Sequence, residues 1–370
     1  MLVRDQKADT ARPVGQTGAA GAPPRPELAA GPQAPRRRLT SSQRRGLYLA
    51  MVALTVVFAY VALSNINLAL AWKALRSTDY WWIGAALVAF GFGNLARALR
   101  WRSLFARGRR PPVGPVFDAT MVGYLYNNIM PARVGEAARV VVLTQRSDTA
   151  PVEIVGTVVV ERMYDVFAIL LIFFAAEPWL APVSWFSTAA VAAIVLALAI
   201  ATAAIVLTIY GERPVRFLLK PLRRHPRFPA ERVERLASEL THGLSGLRDW
   251  EVASEALLWT LAAWLLTALC SYLVAVAFHL DVPFWCGVLV SVAVGLSMII
   301  PSPPAAVGVF EAAALVALKA YGVPYSEALP YALVLHLVNF VPFVVVGGLL
   351  LHYNARHPAT RHVGTTDESN

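Results

Sequence analysis

The stretch Phe284-Trp285-Cys286-Gly287-Val288-Leu289-Val290-Ser291-Val292-Ala293-Val294-Gly295-Leu296-Ser297-Met298-Ile299-Ile300-Pro301-Ser302-Pro303-Pro304 carries no charged residue and ends in three prolines within four positions. It is too apolar for a soluble surface. It is also short for a bilayer crossing, which takes about 20 mostly apolar residues. Proline and glycine at membrane depth free backbone groups that only surrounding protein or a polar cavity can satisfy. The stretch therefore reads as one arm of a hairpin that enters the bilayer and returns on the same side. Longer blocks free of Asp, Glu, Lys and Arg lie around it, at 47–72, 178–211, 256–280, 282–310 and 328–355. The 370-residue chain is 57% hydrophobic and only 15% charged, with mean hydropathy +0.54. A soluble protein carries about a quarter charged residues, so a soluble enzyme, a secreted disulfide scaffold and a disordered chain are all excluded.

A second broken stretch precedes it. Residues 115–130 are apolar but short, end at Pro131, and are followed at once by Arg133, Glu136 and Arg139. Residues 115–146 and 284–322 thus form two re-entrant hairpins. Full spans are expected at 46–70, 80–98, 154–176, 184–210, 252–279 and 328–351. The fold class is an all-α polytopic membrane protein with six transmembrane helices plus two hairpins. Residues 1–45, rich in Ala, Gly, Pro and Arg, read as a disordered tail, as do 352–370. Between spans four and five, residues 212–251 place Val233, Leu236, Leu240 and Leu244 on one helical face. That segment is either a helix lying on the membrane surface or a solvated connector.

Charge orients the chain. The formal net charge is +10, from 33 Lys and Arg against 23 Asp and Glu. With no soluble domain to present a basic face, nucleic acid is not the partner. Lys and Arg beside spans instead mark the cytoplasmic side. Arg36 to Arg45 precede span one, and Arg97, Arg100, Arg102, Arg107, Arg109 and Arg110 follow span two. In the six-span, two-hairpin topology every basic cluster is cytoplasmic, as are both termini. Cys270 and Cys286 lie in apolar blocks without metal or disulfide spacing.

An internal repeat supports this topology. At an offset of 173, Pro131-Ala132-Arg133-Val134-Gly135 lies over Pro304-Ala305-Ala306-Val307-Gly308, and Pro151 falls on Pro324. The repeating unit is span, hairpin, span, with span four inverting the second copy. Paired, proline-interrupted segments in an inverted repeat point to the central site of a transporter.

Intramembrane charges cost at least about 2.5 kcal/mol each on insertion scales, so each needs a partner or a task. Glu136 stands three residues from both Arg133 and Arg139, a spacing that gathers two cations around one carboxylate. Glu161 and Asp165, four apart, repel unless a cation or proton intervenes, and Arg133 or Arg139 are the natural partners. These carboxylates either balance charge or carry a proton. Glu311 follows Pro303, Pro304 and Gly308 in the second hairpin; it either faces the same cavity or caps the helix after it. His336 and Asn339 lie on span six near the same level.

These residues resemble a known family, the membrane region of lysylphosphatidylglycerol synthases, also called the flippase-like or UPF0104 family. The resemblance rests on Asn128, Pro131-Ala132-Arg133-Val134-Gly135-Glu136 and Arg139, on Glu161-Arg162 and Asp165, and on Pro303-Pro304, Gly308, Glu311 and Gly322. It covers residues 46–351, with Ala305-Ala306 standing where the family tends to place glycines. It implies a lipid translocase that moves an anionic, aminoacylated or glycosylated lipid between the leaflets of the plasma membrane. Asn128, Arg133, Glu136, Arg139, Arg162 and Glu311 are then head-group contacts, Glu161 and Asp165 the charge-balancing or proton-coupling pair, and Pro131, Gly135, Pro303, Pro304 and Gly308 the hinges. No enzymatic activity, cofactor or metal is expected, and no fused transferase follows, with 19 residues after Leu351. A separate lipid-modifying transferase is the expected partner besides lipid. The alternatives are an ion-coupled transporter of a small polar solute and a membrane enzyme of polyprenyl-phosphate lipid metabolism.

Overall fold

The computed structural model describes residues 76, 78–130, 134–180, 249–298 and 306–356, with scattered positions from 191 to 238. Expected span one, most of span four, most of the 212–251 segment, residues 1–45 and 357–370 of the expected tails, and Pro131, Arg133, Pro303 and Pro304 lie outside the described residues; residues 352–356, expected in the disordered C-terminal tail, are helical. What is described is helical, without strands. In chain order the principal helices are α1 (Tyr80–Ser103), α2 (Val113–Ile129), α3 (Gly135–Arg146), α4 (Pro151–Ala176), α5 (Trp250–Ala277), α6 (Phe284–Ser297), α7 (Val309–Ala320) and α8 (Tyr325–Arg356).

Local chemistry sets these boundaries, and it does so twice. Asp79 and Asp249, which are 170 residues apart, cap α1 and α5. The Asp79 carboxylate accepts from the Trp81 N–H, and Asp249 accepts from the N–H groups of Glu251 and Val252. Pro112 and Pro283 precede α2 and α6, while Pro151 opens α4 and Pro324 precedes α8. The four helix starts of the first half recur between 170 residues (Tyr80 to Trp250) and 174 residues (Pro151 to Tyr325) later. An N-cap Asp removed to Ala costs about 1 kcal/mol. Asp79→Ala and Asp249→Ala are therefore expected to lower stability in detergent by similar, small amounts, readable as paired shifts in thermal unfolding.

The packing repeats as the boundaries do. α1 lies along α5, each short helix packs on its hairpin partner (α2 on α3, α6 on α7), and α2 packs on α8 as α6 packs on α4. Exchanging the halves leaves this set of neighbours unchanged. The two equivalent helices at its centre run antiparallel: the Asp79 N–H donates to the Ala277 carbonyl (3.0 Å) at one end, and Arg110 meets Glu255 (2.7 Å) towards the other.

The surface is that of a membrane protein. α1, α5 and the Tyr325–Asn354 portion of α8 are long and apolar enough to cross a bilayer. Large apolar side chains are exposed along them: Val88 and Phe92 on α1, Leu258 and Leu265 on α5, and Leu337, Val341, Val345 and Leu349 at four-residue spacing on α8. In water such stripes would be buried; against lipid they are at home. α4 is as long, at 26 residues, but its middle carries Glu161, Arg162 and Asp165. Two helix ends differ from the sequence expectation. α1 runs on to Ser103, past the expected end at 98, and α8 continues through Arg356. In α1 the reason is visible: Trp101, Leu104 and Phe105 are fully buried, so protein contacts carry the helix beyond its apolar run.

Candidate functional site

The site starts with a close approach. α3 folds back on α2 so tightly that a Cβ on Gly135 would stand 1.9 Å from the Gly123 carbonyl oxygen and 2.5 Å from Asn127 Oδ1. Only glycine fits. The Gly135 N–H, free at the start of α3, donates to Asn127 Oδ1 at 2.9 Å and ties the turn shut. It is Asn127, not its neighbour Asn128, that makes this contact; Asn128 is half-buried in the last turn of α2. The fold-back places Glu136 and Arg139 on one face of α3, with Arg139 Nε 2.9 Å from Glu136 Oε2.

α4 supplies the other side. Arg139 Nη1 donates to Glu161 Oε1 at 3.2 Å, and its Nη2 lies 2.9 Å from Glu161 Oε2. Its guanidinium sits 4.6 Å from the centroid of the Trp101 ring, a cation–π contact. The indole N–H of Trp101 in turn donates to Thr157 of α4 (3.0 Å). Arg162 donates to Glu136 Oε1 at 2.9 Å and to Asp165 Oδ2 at 3.2 Å. The expected repulsion between Glu161 and Asp165 is resolved by Arg139 and by a residue the sequence reading had not placed there. Arg100 of α1 donates through Nη2 to Glu161 Oε1 (2.6 Å) and through Nη1 to Asp165 Oδ1. Asp165 also accepts from the Trp264 indole of α5 at 3.2 Å.

One member of the basic cluster after span two is thus held by protein contacts rather than solvated. Arg100 is 1% exposed and holds two carboxylates. Its signal was local: a basic residue flanked on the same helix by Trp101 and Leu104 lies inside protein.

Arg100, Arg139 and Arg162 thus face Glu136, Glu161 and Asp165, three charges against three. Burying six charges singly would be costly, but a hydrogen-bonded, neutral cluster offsets much of that desolvation. Arg100, Arg139 and Glu161 are sealed, whereas Arg162 is 44% and Glu136 29% exposed. The cluster therefore opens on one side. Its hydrogen bonding is incomplete: Arg139 Nε and Nη2, Glu136 Oε2 and Glu161 Oε2 sit within ion-pair distance but off the hydrogen-bonding direction.

The second hairpin contributes a separate pair. Gly308, at φ +83°, sits in the left-handed region that suits glycine and starts α7. Its N–H donates to Glu311 Oε2 at 2.7 Å, and Glu311 Oε1 lies 2.6 Å from His336 Nδ1 on α8. His336 stacks on Phe310 with ring centroids 4.6 Å apart. Glu311 thus caps α7 while it faces span six, and it joins none of the arginine contacts above. Asn339 donates to the Leu335 carbonyl in its own helix.

Geometry and surface together define an α-helical integral membrane protein with a partly open ion cluster among apolar helices. The chain belongs to the family described as "Lysylphosphatidylglycerol synthase TM region", whose model matches residues 48–347. It is similar to a UPF0104 membrane protein of Methanocaldococcus jannaschii, at 24% identity over 233 residues, covering 62% of this chain and 94% of that protein.

Proposed function

We propose that this protein moves an anionic or aminoacylated or glycosylated lipid between the leaflets of the plasma membrane, binding the head group at the ion cluster while the acyl chains stay in lipid. One observation carries the reading: six ionised groups are gathered among apolar helices, and one cation, Arg162, remains 44% exposed. Intramembrane ionisable groups open to a cavity mark substrate pathways.

The topology that goes with it has six spans, two re-entrant hairpins and cytoplasmic termini. Helix length supports the hairpins. The 17-residue α2 rises about 26 Å and the 12-residue α3 about 18 Å, against about 30 Å of hydrocarbon. α6 and α7, with 14 and 12 residues, fall short in the same way. The antiparallel course of the equivalent helices α1 and α5 supports an inverted repeat. The protein acts as a carrier rather than an enzyme and works with a separate lipid-modifying transferase. Asn128, Arg133 and Glu311 complete the head-group contacts, and Pro131, Gly135, Pro303, Pro304 and Gly308 serve as the hinges of the two hairpins.

The test is leaflet exchange in liposomes holding labelled phosphatidylglycerol and, separately, a polyprenyl-phosphate lipid. Arg162→Ala is expected to slow exchange at least about tenfold, as the loss of a charge-assisted hydrogen bond to the head group implies, and to lower the melting temperature less than loss of the sealed Arg100 because its side chain is 44% exposed. Exchange by Arg162→Ala and Glu136→Gln at the wild-type rate would sink the proposal. Uptake of a water-soluble solute without lipid exchange would favour the ion-coupled transporter.

A further inference from the structure

The residues where α1 and α5 cross are fixed by two relations. The helices run antiparallel, with residue 79 bonded to residue 277, and their capping residues are equivalent at an offset of 170. Gly93 and Ala263 satisfy both relations: they lie opposite each other and are also each other's equivalents. The contact is real, since a Cβ on Gly93 would lie 3.7 Å from the Ala263 carbonyl oxygen and 3.5 Å from Leu266 Cβ. In an inverted repeat this point lies on the axis relating the halves, at the middle of the membrane.

Arg97, one turn along, occupies that point. Its side chain folds back along α1, and Nη1 is 3.6 Å from where the Gly93 Cβ would be. Nη2 donates to Thr267 Oγ1 of α5 at 2.8 Å, and Nη1 reaches Asn94 Oδ1 at 3.5 Å. Both partners are neutral. Among the described residues no carboxylate stands within ion-pair distance of Arg97, whereas Arg100, Arg139, Arg162, Arg110 and Arg146 each have one. The nearby cluster has none to lend, its three carboxylates being matched by three arginines. Arg97 still has most of its N–H donors unused. Arg97 precedes Arg100 by three residues on α1, and Trp264, three residues before Thr267 on α5, donates to Asp165 of the cluster, so the two places adjoin.

We infer that Arg97 is an anion anchor, which holds the phosphate oxygens of a phosphodiester lipid head group at the crossing of α1 and α5. The inference rests on the lipid-translocation reading and shifts the phosphate contact from the balanced cluster to a guanidinium that, among the described residues, has no carboxylate within ion-pair distance. Arg162 and Glu136 then meet the remainder of the head group.

The experiment uses the full chain in detergent micelles doped with phosphatidylglycerol, with phosphatidylcholine, or with inorganic phosphate in the buffer, and reads binding by native mass spectrometry and by thermal stabilisation. Wild type is expected to bind phosphatidylglycerol over phosphatidylcholine. Arg97→Gln is expected to weaken that binding about tenfold to a hundredfold, as losing a charged hydrogen-bonding group implies, and Arg97→Lys to retain part of it. Stabilisation by inorganic phosphate alone, lost in Arg97→Gln, assigns the site to free phosphate and overturns the lipid anchor. Equal phosphatidylglycerol binding by wild type and Arg97→Gln overturns the inference outright, also where the variant melts lower. Leaflet exchange by the same proteins reconstituted in liposomes separates the two proposals. Arg97-dependent binding without exchange leaves the anchor standing and removes the translocase; exchange that is unaffected by Arg97→Gln, with unaltered binding, does the reverse.

Discussion

Arg100→Met is expected to destabilise the protein by about 3–5 kcal/mol, the cost of removing one partner from a buried ion network. Arg100 is 1% exposed and bridges Glu161 and Asp165, which share the inner face of α4. Without it the cluster holds two cations and three carboxylates, and two of the carboxylates are four residues apart on one helix. Water cannot reach the sealed part, so the surplus charge must be neutralised by proton uptake or relieved by displacing α4 from α1. Adding Asp165→Asn restores the balance at two against two: Arg139 keeps Glu161, and Arg162 keeps Glu136. The double variant is therefore expected to be more stable than the sum of the two single losses predicts, with a coupling of about 1–3 kcal/mol. Chemical denaturation in detergent measures all three proteins. Strict additivity would mean that Arg100 is held by packing alone and that the cluster is not an electrostatic unit.

Much of this molecule could be read from its sequence because hydrocarbon imposes a simple rule. Uncharged runs of spanning length became most of α5 and α8, the apolar run before Arg97 became α1, and runs cut short by proline became α2 and α6, each followed by a second short helix. The hairpin boundaries at 115 and 284 were off by two residues and none, since Pro112 and Pro283 place the starts. Spacing also gave the contact between Glu136 and Arg139 and the need of Glu161 and Asp165 for a cation. Which cation was not legible. Arg97 and Arg100 sit at the end of an apolar run, where a charge rule assigns arginine to the cytoplasm, and only tertiary contacts with α4 and α5 turn them inward. Sequence spacing acts within a helix, whereas Arg100 is 61 residues from Glu161 and Arg97 is 170 from Thr267. The placement of Glu311 was open between two roles, and the structure joins them, because one carboxylate oxygen caps α7 while the other reaches His336.

The halves repeat in backbone but not in charge, and this asymmetry bears on mechanism. Arg97 meets Thr267, its own equivalent, and Gly93 meets Ala263. α4 carries Glu161, Arg162 and Asp165, whereas α8 offers His336 and Asn339. In the proposed translocase, a repeated scaffold would allow two related conformations of similar energy, and the six-membered ion cluster of the first half would give the cargo a fixed place within it. Alternating access in such folds is movement of one repeat against the other around that place.

Gly135→Val is expected to cost about 3 kcal/mol or more and to abolish lipid exchange, although residue 135 touches no proposed cargo. The argument is steric. A Cβ at this position would stand 1.9 Å from the Gly123 carbonyl oxygen, far inside contact distance, and both colliding groups belong to helical backbone, which cannot swing aside as a side chain can. α3 must therefore lift from α2. Lifting breaks the Gly135 N–H bond to Asn127 and moves Glu136 and Arg139 outward, since both lie in the first turns of α3. Arg139 then leaves Glu161 and the Trp101 face, so a backbone clash is converted into an unpaired charge inside the ion cluster. Gly91→Ala in α1 is the matched control. A Cβ there meets nothing within 4 Å, and replacing a helical glycine by alanine gains about 0.5–1 kcal/mol. Thermal unfolding in detergent and leaflet exchange in liposomes read both effects. If Gly135→Val melts and exchanges lipid like Gly91→Ala, the tight fold-back of α3 on α2 does not set the geometry of the ion cluster.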